Sequence, residues 1–336
     1  MSGGARGVWM RVRRWLPGVI ISLVALVIVF RLARWEELRT AFQNIQPLPV
    51  AAAVALTVIS LWTRANGWRV LLDHRPTVSQ SFFIINEGYL LNNLFPLRMG
   101  EVGRAVFMGQ ASGLGPLHVL STIVIERAFD LAIAAGMLLS TLPLALGAEW
   151  ARPFAVVTLG LVIVGLAGLY GMARFNERVQ AFILKMGQRW AFVERWIVPR
   201  VASLLEGLRV LTRPSQFLAA LFWMVLSWVL WVAVHYVMLF TLVPQVPLWW
   251  PMFIDSVLAL GVAVPSAPAA LGVFEAAVVG ALAVLGVDNS SALAYAILMH
   301  FINFAVTGIF GFIGLLKEGR SLGSLSAQLR AQEPRV

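Results

Sequence analysis

The sequence predicts an all-α polytopic membrane protein, with about six full transmembrane helices plus two broken re-entrant hairpins in an inverted-topology repeat. Hydrophobic residues fill 60% of the 336 positions and charged residues only 12%, against roughly 25% charged in a soluble domain. The mean hydropathy is +0.82. Apolar runs of about 20 residues, the length that crosses roughly 30 Å of hydrocarbon, recur along the chain. Two further apolar regions are interrupted midway by proline. Eight or more full spans is the alternative, in which each interrupted region crosses instead of returning.

The elements follow in order. Residues 1–15 form a basic N-terminus, and the apolar run behind them lacks a small-residue cleavage site, so it reads as an uncleaved first span. Arg13 and Arg14 serve there as positive-inside anchors, a simpler reading than a twin-arginine export signal. Full spans are predicted over 16–34, 47–64, 117–142, 153–173, 216–243 and 289–316. The broken regions are 81–112, split at Pro96, and 249–286, split at the "PSAP" of 265–268. Hydrocarbon cannot satisfy the backbone groups freed at such breaks, which therefore belong inside protein or along a cavity. The whole of 16–318 is read as one transmembrane domain with halves of about 16–143 and 153–316, and 319–336 as a tail.

Arginine and lysine set the orientation. They crowd before the first span, after the second, through 174–214 and after the last, whereas 143–152 and 244–248 carry one arginine between them. Both termini are thereby expected in the cytoplasm, across a bacterial inner membrane. Arg31, Arg34 and Arg39 dissent, offset by Glu36 and Glu37, and read as an outward interfacial segment. The stretch 174–214 alternates apolar and charged positions at helical spacing, as helices lying on an anionic leaflet would. It is also a candidate docking site for a partner enzyme.

With those sides fixed, each broken region must return to the side it left. "PLRMGE" (96–101) answers to "PAALGVFE" (268–275), each a proline followed by a glycine and a glutamate. Glu101 and Glu126 are 25 residues apart, as are Glu275 and His300, and an offset of 174 relates the two sets. The halves thus read as an inverted repeat, with Pro96, Gly100, Pro265, Pro268 and Gly272 shaping the hairpins. Transporters built this way bind substrate near the midplane at the broken helices.

Charges inside such a chain need a reason, since one at the centre of a bilayer costs roughly 2.5–3.5 kcal/mol on insertion scales. Arg98, Glu101 and Arg104 sit beside the first break, with Glu275 beside the second and His300 further on. In "STIVIERAFDLA" (121–132), Glu126 and Asp130 share a helix face while Arg127 turns aside. Paired carboxylates can act as acid and base, bind a cation or an amine, or pair with Arg98 or Arg104 in a structural ion network. No nucleophile triad, metal-binding helix motif or phosphate loop accompanies them.

Composition excludes other classes. The net charge of +10 does not mark a nucleic-acid partner, because the arginines sit at the ends of apolar runs and not in an aromatic-laced basic patch. There are no cysteines, and four histidines lack ligand spacing. No metal site and no cofactor are expected.

"NNLFPLRMGEVGRAVFMGQASG", the following "VIERAFD" and the late "PSAPAALGVFEAAVVGAL" resemble the lysylphosphatidylglycerol synthase transmembrane, or flippase-like, family. The resemblance covers roughly residues 15 to 318. It implies a polytopic inner-membrane protein that moves lipids between leaflets or serves lipid and polyprenyl-linked pathways. It also implies Arg98, Gly100, Glu101, Arg104, Glu126, Arg127, Asp130 and Glu275 as motif positions. Two departures stand out: Pro268-Ala269-Ala270 replaces the Pro-Gly-Gly run typical of the family, and His300 replaces an arginine. The soluble aminoacyl-transferase domain of two-part members is not expected here, so the chain is not expected to make lysyl lipid by itself.

The leading expectation is a lipid flippase with an anionic head group as cargo, its arginines offering bidentate forks to phosphate. An integral-membrane enzyme acting on a lipid head group, and a non-transporting scaffold of a cell-envelope pathway, remain open beside it.

Overall fold

A computed structural model of the chain describes residues 46–95, 99–146, 151–175, 198–243, 245–263 and 267–318. It also describes Val24, Val27, Glu36, Arg39, Thr40, Gln43, Glu177, Arg178, Ala181, Phe182 and Lys185. Among them all regular structure is helical: α1 (Pro47–Leu71), α2 (Val78–Leu94), α3 (Met99–Ser112), α4 (Pro116–Leu146) and α5 (Ala151–Arg174). Then come α6 (Val198–Leu208), α7 (Pro214–Leu239), α8 (Trp249–Ala263), α9 (Val273–Val284) and α10 (Asn289–Lys317). Short 3-10 turns occupy Arg209–Thr212 and Pro268–Ala270.

Helices α1, α4, α7 and α10 are long and apolar enough to cross a membrane. The 24-residue α5 occupies the predicted span 153–173, while the predicted span 16–34 lies outside the described residues apart from Val24 and Val27. Leu218, Phe222, Val225 and Val229 recur at helical spacing on α7 and are exposed, as are Phe301, Phe304, Ile309 and Phe312 on α10. Apolar surface of this extent marks contact with lipid, since soluble monomers rarely show it.

At the centre, α1 lies along α7. The Ser60 hydroxyl donates to the Ser227 carbonyl at 2.9 Å, and Ser227 donates back to the Ser60 carbonyl at 3.2 Å. Small hydroxyl residues let two membrane helices approach closely and bond across the seam. Around this pair, α2 packs on α10 and α8 packs on α4.

The two broken regions form helical hairpins. Thr77 and Gln80 close a capping box at the start of α2, and Phe95 ends it in an extended conformation (φ −118°, ψ 143°). A residue before proline is driven out of the helical region, and Pro96 follows. Helix α3 runs back antiparallel, with Gly88 against Gly100 and Arg104, and Leu91 against Gly103. In the second hairpin Gly261 of α8 meets Ala277 of α9. The arms have 17, 14, 15 and 12 residues, so at about 1.5 Å per residue they fall short of roughly 30 Å of hydrocarbon.

Part of the basic stretch 174–214 is drawn into the bundle. Leu205 and Leu208 of α6 are buried, and Gly207 sits against Ser121 and the His118 carbonyl at the start of α4. Of the apolar positions in that stretch, Met186, Trp190 and Val193 lie outside the described residues.

Candidate functional site

Glu126 is the hub of the site. It lies on α4, fully buried, and three guanidinium groups converge on it from three helices. Arg104 of α3 binds it with both terminal nitrogens, at 3.2 and 2.6 Å, and lays its guanidinium 4.2 Å over the Trp68 ring. Arg64 of α1 donates to it through Nε at 3.0 Å and Nη2 at 2.7 Å. Arg127 donates through Nη2 at 2.8 Å.

One helical turn along, Asp130 takes a second bond from Arg64 and an ion pair with Arg127 at 3.3 Å. Trp228 Nε1 of α7 donates to its other oxygen at 3.0 Å. Three guanidinium groups thus face two carboxylates, which leaves the cluster one positive charge in excess. Burial at this depth is tolerable only because each carboxylate is multiply bonded. The spacing explains the geometry: Glu126 and Asp130 are four apart on α4, so one arginine from a neighbouring helix reaches both.

The cluster backs onto a cavity of about 640 Å³ between the two halves. Its wall takes Arg64, Arg127, Asp130 and Glu101 from the first half, and Trp228, Trp231, Asp255 and His300 from the second. Both hairpin breaks reach it, through Phe95 on one side and Ala267, Ala269 and Ala270 on the other. The Arg127 side chain is 36% exposed, yet its Nε is buried without an acceptor among the described residues.

The second hairpin carries its own pair. Glu275 accepts the Gly272 backbone N–H at 2.7 Å, which caps α9, and its other oxygen meets His300 Nδ1 at 2.6 Å. Phe274 stacks on the His300 ring at 4.3 Å between centroids. The first hairpin is tied differently: Asn92 of α2 accepts the Gly100 N–H at 2.7 Å and donates to Glu101 at 3.4 Å.

A family model described as "Lysylphosphatidylglycerol synthase TM region" matches residues 15–311. The chain belongs to this family. This lysylphosphatidylglycerol synthase transmembrane family member is also 24% identical to "Glycosyltransferase AglD" of Haloferax volcanii, over 95% of its own length and 57% of the relative's. The match thus spans little more than half of that protein. No solved structure matches. Length, apolar composition and family together make the chain a multi-pass membrane protein.

Within this family member the residues singled out from sequence separate into groups. Glu101, Arg127, Asp130 and His300 line the cavity. Arg104 and Glu126 stand behind its wall, packed against each other, because Glu126 sits on the side of α4 that faces α3. Glu275 reaches the cavity only through His300. Arg98, Pro96 and Pro265 lie outside the described residues, whereas Gly100, Pro268 and Gly272 shape the starts of α3 and α9. Arg64 has a different place from the one its sequence position implied. The predicted span stopped at residue 64, but α1 continues to Leu71, which puts Arg64 inside the bundle against two carboxylates. Asp255 and Trp228 had no motif to mark them, and Asn92, although it opens the stretch "NNLFPLRMGE", was not singled out; a lone acid in "WWPMFIDSVLALGVA" was the available signal for Asp255.

Proposed function

We propose that the protein is a lipid transporter of a bacterial inner membrane, carrying a phospholipid or lipid-linked intermediate between leaflets through the cavity. One observation carries the reading. A single chamber bounded by both helix breaks joins a guanidinium-bearing wall to an aromatic and aliphatic one. Arg64 and Arg127 offer forked donors to a phosphate, with the excess positive charge of their cluster unspent. Trp228, Trp231, Leu258 and Phe274 offer apolar surface to the adjoining glycerol or chain carbons. A family named for a synthase of a lipid agrees with cargo of this class.

The same proposal takes the halves as an inverted repeat entered from opposite sides, with both termini cytoplasmic. Its support is an exchange of contacts. Ser60 and Ser227 lie 167 residues apart and bond reciprocally, as residues beside a two-fold axis do. The same shift carries Trp68 onto His235, and a slightly longer one carries Thr122 onto Tyr295. Trp68 donates to Thr122 at 3.1 Å, and Tyr295 meets His235 at 2.6 Å. Likewise α2 on α10 mirrors α8 on α4.

An integral-membrane enzyme is the second reading, favoured by the printed name of the archaeal relative. Purified protein in liposomes separates the two. Transport changes a labelled lipid's leaflet at constant mass, and an enzyme changes its mass. If neither leaflet nor mass changes with folded protein present, the transport reading fails.

A further inference from the structure

The second half holds a titratable chain that the ion cluster does not use. Asp255 of α8, His235 of α7 and Tyr295 of α10 are each at most 1% exposed. Tyr295 Oη and His235 Nδ1 are 2.6 Å apart, and His235 Nε2 lies 3.1 Å from Asp255 Oδ1. That last contact is off the hydrogen-bonding line, so neither Asp255 oxygen has a hydrogen-bond partner among the described residues. Asp255 is nevertheless on the cavity wall.

We propose that Asp255 is a proton-binding site of the cavity, with His235 and Tyr295 as the pair it faces, and that its proton couples to lipid movement. An ionised carboxylate with no donor in apolar surroundings is among the most costly groups a fold can hold. The neutral acid relieves that cost, and its proton has a place to go. With the proton on Asp255, the phenol donates to Nδ1 and Nε2–H faces the acid. When α8 shifts and water enters, the proton leaves Asp255 for that water, while the imidazole and the phenol keep theirs and Nε2–H then faces the carboxylate. No bond other than O–H or N–H changes, and one proton is released.

The neighbouring charges do not substitute for it. From α4, Asp130 and Arg127 face the cavity, already paired with each other and, for Asp130, with Arg64 of α1; Glu126 lies behind them. From α9, Glu275 is turned to His300 of α10. Glu101 of α3 and Tyr89 of α2 share the cavity, and Glu87 is buried on the α2 side that packs on α10. The contact related by the internal repeat, Trp68 to Thr122, has no group that titrates near neutrality. One half therefore carries fixed charge and the other carries exchangeable protons.

The coupling rests on the transport reading, so the test has two arms. Infrared spectra of purified protein at neutral pH should show the carbonyl stretch of a protonated carboxylic acid, lost in Asp255→Asn. His235→Gln, which keeps an amide in place of the imidazole, should move that band. In proteoliposomes, a pH gradient should alter the wild-type rate of labelled-lipid exchange, and the ratio of rates with and without gradient should fall to one in Asp255→Asn. A band that survives in Asp255→Asn overturns the proposal, as does an Asp255→Asn ratio equal to wild type. A wild type that shows the band but moves no lipid overturns the transport reading, and with it the coupling, while the assignment of the proton to Asp255 stands.

Discussion

Arg104 of α3 holds Glu126 of α4 through both terminal guanidinium nitrogens, with 2% and 0% of the two side chains exposed. Removing one partner of a buried pair strands the other, at about 3–5 kcal/mol. Glu126→Gln should therefore lower the melting temperature of the purified protein severely, since it strands Arg104 and takes from Arg64 and Arg127 one of the two carboxylates each is paired with. Adding Arg104→Gln should recover part of the loss. Equal melting temperatures in the single and double variants would show that the pair does not act as one.

The first hairpin depends on glycine at its closest approach. A side chain at Gly100 would clash with the Gly88 carbonyl oxygen and with Asn92, both held by the fold, whereas Gly136 faces open space. Gly100→Ala should destabilise by about 1–3 kcal/mol or more. Gly136→Ala, in the middle of α4, should be neutral or slightly stabilising. Comparable melting curves for the two variants would contradict the close packing of α2 on α3.

The second break is strained where the sequence departs from Pro-Gly-Gly. Ala269 and Ala270 hold φ of 57° and 54°, a left-handed conformation that costs an L-residue roughly 1–2 kcal/mol. Glycine escapes that cost but gives up roughly 0.5–1 kcal/mol in chain entropy. Each single Ala→Gly change should then raise stability by up to about 1 kcal/mol, read from thermal unfolding. A loss of similar size, as expected in an ordinary helix, would rule out the left-handed turn.

Outside the spans, Asp73 clamps the end of α1 to the start of α7. It accepts from Gln216 Nε2 at 2.6 Å and Arg213 Nη1 at 2.9 Å. The Gln216 hydrogen bond, and after it the Arg213 charge, hold its carboxyl below the ordinary 3.8. A depressed folded value stabilises above the ordinary pKa and is lost as pH falls through the folded one. Because Asp73 is half exposed, the effect stays below about 1 kcal/mol. The melting-temperature gap between wild type and Asp73→Asn should close as pH is taken below 3.8; a gap independent of pH would contradict the clamp.

Much of this architecture was legible because its causes are local. Proline forces the breaks after Phe95 and near Pro268, run length sets the long helices, and i,i+4 spacing puts Glu126 and Asp130 on one face. Of the partners, the pairing of Arg104 with Glu126 was among the expected arginine–carboxylate pairs, and the others were not legible. Arg64 reads as an interfacial charge until α4 supplies two carboxylates to keep it inside. Arg104 reads as a cavity residue from its place beside "PLRMGE", yet the close glycine packing of α2 on α3 turns it toward Trp68 and Glu126. His235, Asp255 and Tyr295 stand on three helices with no shared spacing. Only tertiary packing joins them, although a lone acid in an apolar run already signals a function by its insertion cost.

The central claim is that the arginine-bearing wall of the cavity handles an anionic head group. The direct test is leaflet exchange of labelled phospholipid in proteoliposomes, normalised to folded protein, for wild type, Arg127→Lys and Arg127→Gln. Arg127 lines the cavity and is partly exposed, so both variants should fold. Arg127→Lys keeps the charge but loses the fork, and the account predicts reduced exchange in it and near-complete loss in Arg127→Gln. Wild-type exchange in folded Arg127→Gln would contradict the account and leave the cluster a structural ion network alone.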